Sequence, residues 1–278
     1  MSETTAANGA FIAPKLVTEL LVKPLEAASV VLAASPVVIQ SSAPVRIPRI
    51  TGGPATAWVA EGGQIPEGDV ATDEITALPS TLKSAKVIVR VTSELVRSSS
   101  VAVNPVFQER IVSAVANHLD TAFLTGNGAS NTVRGLVNTV GASTAELDVT
   151  DADSLLDALA VAYADEVQPT HWFVSGADFI ALRKLKDGNG RYLIESDVTK
   201  DVTYRLFGLP VVVTNKLGAG KALLVAMNHV VVVNDVNPSV QILTEKYADT
   251  DEIGIKVVYR ADIAVTHPES VVVLTDVV

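Results

Sequence analysis

Residues 104–128 read NPVFQERIVSAVANHLDTAFLTGNG. Asn104 is a good N-cap and Pro105 suits the first helical position. Phe107, Ile111, Val115, Leu119 and Ala122 recur at helical spacing, flanked by Ala114 and Phe123, and Gly126 ends the pattern. Some twenty residues at about 1.5 Å each predict a rod of about 30 Å. A rod of that length needs an apolar surface along most of one side. The rest of the chain has to supply it.

Upstream of the rod the chain reads as two projections. Residues 1–50 form an arm: a helical pattern from Ala13 to Ala33, interrupted by Pro24, then an extended run held by Pro36, Pro44 and Pro48. Residues 51–91 read as a long hairpin. Its outgoing strand is Ala55–Ala60 with Trp58, its tip is the Gly- and acid-rich Glu61–Asp73, and its return strand is Glu74–Val91. A two-stranded ribbon is marginal alone in water, so this one needs a partner surface.

Downstream the texture changes to compact alternation. Asp151 or Asp153 caps a helix running to about Glu166, His171–Ser175 is a buried strand, and Asp178–Lys186 a second helix. Asp187–Gly190 is a turn. Strands follow at Pro210–Thr214, Ala222–Ala226, Val230–Val233, Val240–Thr244, Gly254–Arg260, Ile263–Thr266 and Val271–Leu274. Helices and strands mix without βαβ repetition, which predicts an α+β fold.

Composition narrows the function. With 31 acidic against 21 basic residues the net charge is −10, which argues against a groove that grips nucleic-acid phosphates. Hydrophobic residues make up 48% and charged residues only 19%, so either the core is large or neighbours cover much of the surface. There are no cysteines, hence no disulfide, thiolate metal site or thiol nucleophile. The polar N-terminus lacks the pattern of a secretory signal, and no apolar run reaches the roughly 20 residues of a membrane helix. The expectation is a soluble protein made in a cytoplasm.

Motifs of chemistry break down on inspection. Gly218-Ala219-Gly220-Lys221 resembles the end of a phosphate loop, but Asn215 replaces its first Gly and Ala222 its Ser or Thr, and a strand follows where a helix should. Gly126-Asn127-Gly128 lacks the last Gly of a dinucleotide fingerprint, with Asn131 in its place. Val174-Ser175-Gly176 is preceded by Phe173 where a nucleophile elbow needs Gly, so Ser175 reads as a helix cap. Leu155 and Leu156 break the calcium-loop series begun by Asp151 and Asp153. His118, His171, His229 and His267 stand singly. Glu61, Glu67, Asp69, Asp73 and Glu74 gather near the hairpin tip, where a solvated loop or charge pairing with a neighbour is the plain reading. No nucleophile, base and orienter come together, so neither an enzyme nor a cofactor is expected.

The order of parts then resembles the tailed-bacteriophage major capsid proteins of the Hong Kong ninety-seven fold. Ala57-Trp58-Val59-Ala60-Glu61-Gly62 is similar to the family's Trp-x-x-Glu-Gly stretch, and Val91–Val96 to the approach to its spine helix. Leu119–Gly128 with Arg134-Gly135-Leu136 is similar to the spine-helix exit. Leu206–Val211, Arg260-Ala261-Asp262 and His267–Val272 resemble later parts. The resemblance implies an N-arm at 1–50, an extended loop at 51–91, and a peripheral domain with the spine helix at 92–150. It further implies an axial domain at 151–239 and a C-terminal return to the peripheral domain at 240–278. It implies hexamers and pentamers closing an icosahedral shell around double-stranded DNA, in a virion assembled in the bacterial cytoplasm. Portal, scaffold or decoration proteins would be its partners.

On that resemblance the inter-subunit contact candidates are Trp58, Glu61, Glu67, Asp69, Asp73, Glu74, Lys83 and Lys86, and the hinge candidates Gly52, Gly53, Gly62 and Gly63. Some relatives join subunits through a Lys–Asn bond. Lys83 and Lys86 lie on the returning strand, yet residues 240–278 contain no Asn to receive them, so a shell without covalent crosslinks is expected. The chain begins almost directly at the arm, which favours a separate scaffold or none over a cleaved leader. Two other readings stay open at this stage. One is an encapsulin-type bacterial nanocompartment shell with the same fold, and the other is a soluble α+β enzyme.

Overall fold

Runs of Val and Leu too apolar to face water on either side set the middle of the molecule. In the computed structural model these runs become strands of a six-stranded sheet. The structure describes residues 29–41, 43–52, 58–59, 62, 64, 71–77, 84–92, 103–129, 132–186, 204–235, 239–243 and 245–276. The six strands are β5 (Ser143–Leu147), β6 (His171–Val174), β7 (Arg205–Leu206), β8 (Leu209–Val213), β9 (Lys221–Val225) and β13 (Val271–Asp276). Their spatial order is β5-β13-β9-β6-β8-β7. Alternate residues go to opposite faces. Phe173, Leu223, Val225, Val271 and Val273 join one core. Trp172, Val174, Ala222, Leu224, Val272 and Leu274 join another, with helices α3 (Asp153–Ala164) and α4 (Gly176–Arg183).

The first core is shared with α2 (Val103–Thr125), the predicted rod. It begins at Val103, two residues before the expected first helical position, so Asn104 and Pro105 lie inside its first turn, where a missing N–H costs no helical bond. Its buried face runs through Val112, Val115, Ala116, Leu119, Phe123 and Leu124, with Ala122 only half buried and Ala114 exposed. The side chains of 103–111 lie outside the described residues. Gly126 ends the helix as expected, and the Asn138 side-chain amide donates to the carbonyls of Thr125 at 3.1 Å and Gly126 at 2.9 Å, satisfying acceptors at the helix end.

A second sheet closes the other side of that core. It contains β1 (Val37–Gln40), β4 (Ser84–Thr92), β10 (Val230–Asn234), β11 (Ser239–Leu243) and β12 (Glu252–Val265). The two strands expected at Gly254–Arg260 and Ile263–Thr266 are one fourteen-residue strand. Ala261 and Asp262 contain no breaker, and each half of β12 has its own partner: β4 pairs with Glu252–Arg260, β10 with Ala261–Val265.

This pairing corrects the hairpin. The strand that leaves along the ribbon is β2 (Val45–Gly52), and it returns as β3 (Ala71–Ala77). Trp58 and Val59, expected in the outgoing strand, belong to no strand and are exposed. Pro44 and Pro48 suggested a tether, but a two-stranded ribbon has an open edge on each strand, where a missing N–H breaks no ladder. Residues 84–92 leave the ribbon and join β12, because Ala85, Val87 and Val89 pack on the core of α2 while Lys86, Ile88 and Arg90 face outward. Lys86 therefore sits opposite Val258 in a sheet, not on a hairpin.

The sheets also cut across the expected domain boundaries. Val230–Asn234, placed in 151–239, belongs with β12, while Val271–Asp276, placed in 240–278, lies between β5 and β9. After its passage from β4 through α2 to β5, the chain crosses between the sheets again at 226–229 and at 266–270, which proximity in sequence does not reveal. One cap also differs. Ala152 occupies the cap of α3, and Asp151 accepts the Asp153 N–H at 3.0 Å instead. Of the helix expected over 13–33, the described residues hold α1 (Val30–Ala33), which starts afresh at Ser29, an extended N-cap that breaks the expected helix there; residues 13–28 and the turn at 187–190 lie outside the described residues.

Candidate functional site

The ribbon is built in two zones. Near its base Val45 faces Ala77 and Ile47 faces Ile75 on one side of the β2–β3 pair. These four pack on Val231, Val233 and Ala264, the outer face of the second sheet. Further out the same face switches to charge, with Arg49 opposite Asp73. Arg49 donates through Nη2 at 2.7 Å and Nε at 3.1 Å to Asp73 Oδ2. Together with the Glu74 N–H, these bonds hold the Asp73 carboxyl below its ordinary range. On the other face Arg46 reaches Glu74 at 3.3 Å.

Of the five tip acids, Asp73 and Glu74 are thus strand residues paired with arginines. Glu61, Glu67 and Asp69, like Lys83, lie outside the described residues. No group of three metal-ligating side chains is found among the described residues. Trp58 is fully exposed, with Val59 beside it. Of the hinge candidates, Gly52 sits where the β2–β3 register shifts and Gly62 has φ +77°; Gly53 and Gly63 lie outside the described residues.

The arm is locked by a group that the sequence reading missed. Asp120, on α2, is wholly buried. Its carboxylate accepts the Ser29 hydroxyl at 2.5 Å and the backbone N–H groups of Val30 at 3.0 Å and Val31 at 3.3 Å. Ser29 in turn caps α1 by accepting from Leu32 N–H. Lys216, from the turn between β8 and β9, lies 3.5 Å from Asp120 Oδ2 and donates to Asn117 Oδ1 at 2.7 Å. One carboxylate therefore ties the arm, the rod and the six-stranded sheet together. The only sequence signal was an acidic residue on the apolar side of a helical stripe.

The rejected motifs acquire structural roles. Ser175 caps α4: its hydroxyl donates to Asp178 Oδ2 at 2.8 Å and accepts the Asp178 N–H at 3.2 Å. The Gly220 N–H, which a phosphate loop would offer to a ligand, donates to the same Asp178 oxygen at 2.9 Å. Ser175→Ala should cost about 1 kcal/mol of subunit stability, typical for a lost cap. A denaturant midpoint unchanged from wild type would show that the Ser175 hydroxyl does not stabilise α4.

Comparison with known proteins decides the family. A model described as the Phage capsid family matches residues 8–276, nearly the whole chain. The chain belongs to the phage capsid family. The major capsid protein of Klebsiella oxytoca phage phiKO2 is 24% identical over 261 residues, covering 83% of this capsid-family chain and 59% of that one. The chain thus spans about three-fifths of that relative. A chain from Microbacterium phage Oxtober96 matches with a TM-score of 0.73 at 18% identity, covering 90% of this chain and 91% of that one. A chain described as the capsid of a native GTA particle matches with 0.72 at 15% identity, covering 100% and 94%. At such identities these two likenesses speak for the fold, which agrees with the α+β expectation.

Proposed function

We propose that this capsid-family chain is a major capsid protein of the Hong Kong ninety-seven fold, assembling as hexamers and pentamers into an icosahedral shell around double-stranded DNA. The observation that carries the reading is the family match from one end of the described chain to the other. The β2–β3 ribbon supports it physically. Beyond its apolar base the ribbon has no wide body to lie on within the described residues, and a ribbon gains stability on a neighbour's surface. In this reading 1–50 gives the N-arm and most of the outgoing ribbon strand, 51–91 the rest of the extended loop and the strand β4 that leaves it, 92–150 with 240–278 the peripheral domain, and 151–239 the axial domain. The β13 and β10 exchanges described above join the last two. Trp58, Glu61, Glu67, Asp69, Asp73, Glu74, Lys83 and Lys86 meet neighbouring subunits, and Gly52, Gly53, Gly62 and Gly63 let the loop adjust between six- and fivefold positions. The shell is part of a virion assembled in the host cytoplasm, with portal, scaffold or decoration proteins as partners.

Electron microscopy of the native particle tests this directly. Tailed, DNA-filled heads are expected; small cages filled with protein would transfer the chain to the encapsulin-type reading, and a stable monomer would sink both. A variant sharpens the test. Trp58→Ala should leave the subunit's circular dichroism and unfolding midpoint unchanged, because the side chain is fully exposed in the single chain. It should lower the yield of closed shells at a given concentration. Equal yields from both proteins would remove Trp58 from the interface.

A further inference from the structure

The two sheets are joined by two chain crossings that run side by side. The first, after β9, ends in the 3-10 turn Met227–His229; the second, after β12, contains the 3-10 turn Pro268–Ser270. They are stitched to each other. Ala226 N–H donates to Ser270 O at 2.9 Å, and Thr266 donates to His229 O through both N–H at 2.9 Å and hydroxyl at 3.1 Å. Between them the rings of His229 and His267 meet edge to face, with centroids 4.8 Å apart and planes at 88°. A third histidine stands close by, since Thr170 Oγ1 accepts the Met227 N–H at 3.0 Å and lies 3.0 Å from His171 Nδ1. Three histidines that stand singly in the sequence thus gather at one joint.

Little nearby charge offsets them. The strand packed on the first turn, Val37–Gln40, carries no titratable side chain, and β10 carries none. The second turn carries Glu269, and β5, packed on it, carries Glu146. On β9 and β13 the charged residues, Lys221 and Asp276, stand at the ends away from the joint. Asp262 of β12 accepts the Ile263 N–H. Among the described residues no hydrogen bond joins Glu146, Glu269 or Asp276 to an imidazole.

We propose that the His229–His267 pair makes this joint an acid-sensitive hinge: when both rings carry protons, like charges at contact distance separate the two crossings and loosen the coupling between the sheets. Neutral rings favour the edge-to-face contact, whereas two cations oppose it. The direction follows from His229, whose pKa is lowered by burial and then by the neighbouring His267 charge. The closed joint binds fewer protons than the open one. Its stability is therefore full above the ordinary histidine range, near 6.5, and is lost as pH falls from there through the lowered value. Burial lowers His171 in the same direction. This inference goes beyond shell formation and holds for the single subunit.

Hydrogen exchange of the full chain at pH 7.5 and 5.5, corrected for intrinsic rates, reads the joint at the amides of Ala226, Thr266 and Ser270. Wild type should lose protection there by at least about threefold on going from pH 7.5 to 5.5. His229→Gln and His267→Gln should each flatten the response, and His171→Gln should retain most of it. If one variant does not fold, the other carries the test. Protection independent of pH in wild type would overturn the hinge. So would a response that survives both substitutions in the pair, or one abolished by His171→Gln alone.

Discussion

Replacing Asp120 by Ala should destabilise the subunit by about 3–5 kcal/mol, the range for removing one partner from a buried charged network. The carboxylate is wholly buried and accepts three hydrogen bonds from residues 29–31 of the arm. Without it the N–H groups of Val30 and Val31 lose their acceptor, and the Lys216 ammonium, with its side chain only 22% exposed, loses its counter-charge. Asp120→Asn should cost less, about 1–3 kcal/mol, because one acceptor oxygen of nearly the same shape remains. Lys216→Met should be milder still, since Lys216 reaches solvent and leaves Asp120 with its three donors. Denaturant unfolding of unassembled subunits gives these values from the midpoint at constant slope. The lock also makes a local claim: Asp120→Ala should admit proteases near residues 29–34 before the body unfolds. A loss below about 1 kcal/mol with the arm still protected would refute the lock.

Gly126→Ala should be as damaging, by a different route. A Cβ there would stand 2.2 Å from the Val133 carbonyl oxygen and 2.4 Å from that of Ala122. Both are backbone atoms fixed in structure, one in α2 and one in the return to Gly135. Overpacking typically costs about 1–3 kcal/mol, and a backbone collision belongs at or beyond the upper end. Gly135 is the other half of this close approach, its missing Cβ lying 2.7 Å from Leu124 and Gly126 backbone atoms. Gly208→Ala is the contrast. Nothing lies within 4 Å of a Cβ there and only its φ of +84° opposes substitution, so about 1 kcal/mol is expected. Thermal unfolding of the two variants ranks them; if Gly126→Ala proved no worse than Gly208→Ala, the two chain segments would not be in contact.

The rod and the Val-rich strands were legible because each carries its own periodicity. Val112 to Leu124 repeats at helical spacing, and Leu223 and Leu224 alternate between two cores as strand residues must. Partnership was not legible. Nothing local tells Ser84–Thr92 to leave the ribbon for Glu252–Arg260, since alternation fixes which face is apolar but not which strand lies alongside. The same limit hid the joint of His171, His229 and His267, which is assembled from three distant segments. Asp120 was hidden differently. An acid on a helix reads as solvent-facing unless its donors are known, and those donors lie some ninety residues upstream.

The place of β13 bears on how the subunit is made. Among the described residues β5 pairs with β13 alone, and β13 also flanks β9. Translation delivers β5 more than a hundred residues before β13, a delay on the order of ten seconds at ordinary elongation rates. For that interval β5 waits with an open edge, and the sheet cannot close on the ribosome while Val271–Asp276 is still inside it. The six-stranded sheet is thus complete only once Val271–Asp276 has emerged, which keeps a half-built subunit from presenting its finished faces to a neighbour.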